Sequence, residues 1–124
     1  MDPASLDLTN FADDLITSAS ESERGVAMKR VPSENTLLRV VGIGLRKGSE
    51  LAEHSNPGEA VLQVMRGTAT LRWEGGSHDL AAGMLVTIPQ AKHSVLAHED
   101  SALMLTAVNR EAGNDGPAHE TREP

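Results

Sequence analysis

Two stretches, Gly48-Ser-Glu-Leu-Ala-Glu-His54 and Gly83-Met-Leu-Val-Thr-Ile-Pro89-Gln-Ala-Lys-His93, decide how this chain is read. Each opens on glycine, continues through residues suited to a strand, and closes on histidine. Neutral imidazole is a good donor to zinc, iron, copper and nickel, and two non-adjacent strands are a common way of bringing two imidazoles together.

Working outward, residues 26–108 read as short strands separated by turns. Candidate strands are 26–31, 37–45, 61–65, 68–74, 78–80, 84–88, 93–97 and 102–108. In the 37–45 run, Arg39, Gly42 and Gly44 interrupt the apolar residues. From Thr68 to Glu74 the pattern has period two, with Ala69, Leu71 and Trp73 on one face and Thr68, Thr70, Arg72 and Glu74 on the other. The following Glu74-Gly-Gly-Ser77 suits a hairpin, because glycine accepts positive φ. Regularly spaced short strands predict an all-β sandwich or barrel. Before them, Leu6, Leu8, Phe11, Leu15 and Ile16 recur at helical spacing, so a helix is expected over residues 5–20 within an N-terminal extension, 1–25. It is expected to pack outside the barrel, residues 26–110. The polar tail, 111–124, has little to bury and is expected to be disordered.

Composition excludes several function classes. The 124 residues suit one domain with a real core. There is no cysteine, so thiolate sites, thiol nucleophiles and disulfides are absent. The formal charge is −7 and no basic stripe is present, which disfavours nucleic acid. No apolar run approaches a bilayer span, and Met1-Asp-Pro-Ala-Ser5 lacks signal-peptide character, so a cytoplasmic protein with no membrane partner is expected. Phe11 and Trp73 are the only aromatics, which points to a small or aliphatic ligand. Gly42-Ile43-Gly44 is followed by no helix and so is no dinucleotide fingerprint. Ser55 and Ser94 point away from the neighbouring histidines on an extended strand and lack a nucleophile elbow.

Gly48 through His54 and on through Pro57-Gly-Glu-Ala-Val-Leu-Gln-Val-Met-Arg-Gly67 resembles the first motif of the cupin superfamily, and Gly83 through Pro89 to His93 resembles the second. Fifteen residues separate Gly67 from Gly83, similar to the short spacing of small single-domain bacterial cupins. The resemblance covers residues 36–108. It implies an all-β, RmlC-like double-stranded β-helix, or jelly-roll, barrel with a small-ligand cavity, and a homodimer in which residues 61–65, apolar on both faces, form a strand covered on both sides.

The resemblance also implies a metal set of three histidines and one glutamate, from which this chain departs. Asn56 stands at the second histidine and Ala60 at the glutamate, seven residues before Gly67. Ala91 replaces the usual glycine, His93 comes one residue early, and Ala97 replaces an asparagine. His54 and His93 are the ligands carried over. Asn56 shares a face with His54 if the segment is extended, but a neutral amide is a poor ligand for a transition metal. Glu59 precedes the glutamate position by one and would complete a two-histidine, one-carboxylate set if the Pro57-Gly58 turn swings it inward. Gln63, a polar break in an apolar run, lies opposite Ala60 by parity and needs a bulge to join. The plainer readings are a solvated turn for Glu59, a backbone or subunit partner for Gln63, and surface positions for His78, His98 and His119.

Two functions follow. One is a metal-dependent enzyme of oxygenase, isomerase or lyase type, holding zinc, iron, manganese or nickel. The other is a metal-free module that binds or senses a small molecule in an apolar pocket.

Overall fold

The structure is a computed structural model that describes residues 5–33, 37–54 and 58–108, without the side chains of Glu53 and His54. The expectations for the tail, His119 and Asn56 lie outside these residues. Helix α1 spans Leu8–Glu21. It is followed by nine strands: β1 (Val26–Arg30), β2 (Leu38–Leu45), β3 (Glu50–His54), β4 (Ala60–Arg66), β5 (Thr68–Trp73), β6 (Gly76–Ala81), β7 (Leu85–Thr87), β8 (His93–Ala97) and β9 (Ser101–Val108).

The strands form two sheets, β1-β2-β9-β4-β7 and β3-β8-β5-β6. Their pairing is nested: β5 with β6, β4 with β7, β3 with β8 and β2 with β9, all antiparallel. This is jelly-roll topology. The expected closed barrel does not form, because no ladder among the described residues joins the two sheets. β1 takes the free edge of β2, which would otherwise be available for closure. Ile43, Leu45, Leu62, Val64, Leu71, Val95 and Leu103, each at most 2% exposed, fill the space between the sheets. Gly48 and Gly83 have φ of +86° and +93°, and an added Cβ would meet nothing within 4 Å. Their left-handed backbone is therefore what calls for glycine at the start of both motifs.

α1 lies on the outer face of the five-stranded sheet. Asp7 caps it, its carboxylate accepting from the Asn10 amide at 3.1 Å, so the helix begins after Leu6 rather than including it. Phe11, Ala12 and Leu15 form a second apolar cluster with Ala102, joined by Met65 and Met104. Gly42 and Gly44 admit the helix: a Cβ on Gly42 would stand 2.5 Å from the Phe11 ring, and one on Gly44 2.2 Å from the Leu15 carbonyl oxygen. At the far end, Arg46 Nη1 donates to the carbonyls of Ser20 (3.3 Å) and Ser22 (3.0 Å), while in the first half of the helix Arg66 pairs with Asp13. Met65, on the outer side of β4, is thus packed by α1, while Gln63 on the same side is exposed.

Candidate functional site

β8 alternates strictly, with His93, Val95 and Ala97 buried and Ser94 and Leu96 less so. His93 therefore shares the inner face with the core, at 3% exposure. Its Nδ1 lies 2.9 Å from the Ala91 carbonyl oxygen. A carbonyl only accepts, so Nδ1 is the protonated nitrogen and, in the neutral ring, Nε2 carries the lone pair. The backbone register sets His54 of β3 and Trp73 of β5 on either side of His93. A register shift between Leu51 and His54 reaches the His54 end of β3. The half-buried Trp73 packs against the core beside His78, with ring centroids 5.6 Å apart.

The end of the sandwich that holds this row also receives the start of β2, the start of β4 and the end of β9. There Arg39, Ala107 and Ala60 are in register across three strands. Arg39 has the same parity as Val41, Ile43 and Leu45, which pack in the core, so it is an inner-face residue rather than a solvent-facing interruption. It is only half-buried as a residue, yet its Nε is buried and has no hydrogen-bond partner among the described residues.

Glu59 is exposed and lines a groove of about 380 Å³ at this end of the five-stranded sheet, together with Leu38, Ala60, Ile88, Gln90 and Ala107. Gln90 Nε2 donates to the Gly58 carbonyl at 3.1 Å, tying the Glu59 turn to the connection that leads into β8. Gln63 is exposed on the outer face, paired with Leu85 and Met104. The irregularity in β4 falls between Val64 and Arg66, after Gln63, so it does not turn Gln63 inward. Among the described residues no group of three His, Asp or Glu side chains is arranged to hold a metal ion. The donor chemistry of His93 fits a transition metal, because its second nitrogen is fixed by a carbonyl. The carboxylate of the usual set is missing at Ala60, which is buried and apolar.

A second polar cluster escaped sequence reasoning. Thr70 lies on the outer face of β5 yet is only 6% exposed. Its Oγ1 donates to Asp79 Oδ1 at 2.7 Å and lies 2.6 Å from His98 Nε2. A hydroxyl has one proton and the carboxylate takes it, so His98 Nε2 donates to Thr70. His98 is at the surface, as expected, but it is held. The signal available was the pairing of Thr70 with Asp79 across the hairpin, which period-two counting passes over.

No family model and no curated protein matches the chain. Solved structures do. A conserved protein of unknown function from Streptococcus pyogenes superposes with a TM-score of 0.65 and 22% identity, covering 87% of this chain and 89% of that one. An RmlC-like cupin from Shewanella frigidimarina gives 0.62 and 23%, covering 68% and 77%. The fold is that of the cupins. A salicylate 1,2-dioxygenase from Pseudaminobacter salicylatoxidans also aligns with this cupin fold, with a TM-score of 0.69 and 21% identity, over 90% of this chain and 35% of the enzyme. This chain thus corresponds to about a third of that enzyme. No helix among the described residues is long and apolar enough to cross a membrane.

Proposed function

We propose that this cupin-fold chain binds a small organic molecule at the His93 end of the sandwich, with His54 and His93 holding a divalent transition metal beside it. The observation that carries the reading is the buried His93 imidazole, fixed through Nδ1 by the Ala91 carbonyl and in register with His54. A bound ion would polarise a ligand oxygen or activate water. His93 supplies a preset nitrogen, Trp73 walls one side of the row, and the core residues behind exclude water. Ala60 leaves the set one charge short, so affinity is weak unless Glu59 or water completes it. The likeness to a salicylate dioxygenase supports an enzyme acting on a small substrate.

Elemental analysis of protein purified without a histidine tag tests this. Metal taken up to one equivalent when the ion is supplied in excess, and not taken up by His54→Ala or His93→Ala, is the expected result. Sub-stoichiometric metal in all three, with a melting temperature unmoved by chelator, overturns it and leaves the metal-free binding module, which the alanine at position 60 favours. A homodimer belongs to the same reading: exposed Leu38, Leu85 and Val108 lie on the outer face of the five-stranded sheet, beyond the cover of α1. Light scattering giving a monomer mass at micromolar concentration removes it.

A further inference from the structure

We infer that Arg39 is the anchor for the carboxylate of a small organic acid bound between the sheets at the His93 end. The inference deepens the ligand-binding reading above and does not depend on the metal. Three observations carry it. First, the unbroken β2–β9 register and the core packing of Val41, Ile43 and Leu45 put Arg39 on the inner face. Second, its Nε is buried, and among the described residues it has no hydrogen-bond partner and the guanidinium forms no ion pair. Leaving a buried donor of a charged group unmade is costly, so Arg39 calls for a partner, and a bound ligand can supply it. Third, Arg39 shares a row with Ala107 and Ala60, where alanine stands in place of the acidic residue that the motif comparison leads one to expect.

Facing sheets lie about 10 Å apart, so a guanidinium rising from one inner face approaches the row on the other. This end of the sandwich thus carries the Arg39 cation and the buried His93 imidazole, with alanine rather than a carboxylate at the other two positions of the Arg39 row. An acid completes both deficits: its two oxygens match the planar fork of arginine, and its charge offsets that of Arg39. The chain as a whole carries −7, so a local cation on an inner face is not there for solubility.

The test is calorimetric titration of the intact chain with benzoate, benzamide and phenylphosphonate, alongside its melting temperature and its metal content. Benzoate should bind at least tenfold more tightly than benzamide. Arg39→Gln should abolish that preference, and Arg39→Lys should retain part of it. In ligand-free protein, Arg39→Met should raise the melting temperature, the reverse of what a structural arginine would give. Equal binding of benzoate and benzamide, or a preference that survives Arg39→Gln, overturns the assignment. Tighter binding of phenylphosphonate than benzoate overturns the carboxylate class. His93→Ala separates the two readings: it should lose metal and keep the benzoate preference. Metal present without that preference would sink Arg39 alone.

Discussion

β2 serves two regions with opposite solutions. On its outer face, side chains are deleted at Gly42 and Gly44 so that α1 seats directly on the backbone, and the polar groups around the contact are paired: Arg46 with the last carbonyls of the helix, Arg66 with Asp13. On its inner face at the other end, a long cationic side chain is kept and its Nε is left without a partner among the described residues. Among the described residues, the first arrangement satisfies every side-chain group it buries, whereas the second leaves a donor open, which is the difference on which the ligand proposal rests.

Gly44→Val should upset the helix-bearing face of β2 most. Valine suits a strand, but its Cβ would fall 2.2 Å from the Leu15 carbonyl oxygen. Because backbone must move, we expect a loss of about 3 kcal/mol or more, read by urea unfolding. Leu15→Ala, at a fully buried position, should cost about 2–4 kcal/mol by the same measurement. Thr70→Val should cost about 1 kcal/mol, because Asp79 and His98 lose the hydroxyl between them while staying near water. The same variant should release His98 from its Nε2-protonated tautomer, seen in nitrogen chemical shifts. Smallest of all, Asp13→Asn should cost at most about 0.5 kcal/mol and vanish at high salt, since both partners are substantially exposed. An unchanged midpoint for Gly44→Val would mean that α1 is not held by β2.

Strand positions were legible because a half-buried strand repeats every two residues. β8 was read to the residue, and the Ala69, Leu71, Trp73 face of β5 is the inner one. The helix start was read early, because Leu6 fits the apolar spacing while the capping carboxylate of Asp7 sets the boundary. Arg39 was passed over as an interruption of an apolar run. Its parity with Val41 and Ile43 was in the sequence, but a rule that sends charge outward passes over a long side chain that is half-buried on an inner face near a strand end. The pairing of His54 with His93 depends on strand order across two crossovers, which no local pattern specifies. Gln63 needed only its distance from the bulge to be placed outside.

The nested pairing of the strands also orders events in time. β5 and β6 close over a short turn, whereas β2 and β9 stand at opposite ends of the sandwich sequence and must wait for the pairs between them. Loop closure makes the later pairings progressively more expensive, so the chain should assemble from its middle outward and slowly. α1 rests on β2 and β9 and has its platform only when that last pair exists. It is therefore a lock applied after the fold is made: substitutions under the helix should quicken unfolding while leaving the refolding rate nearly untouched.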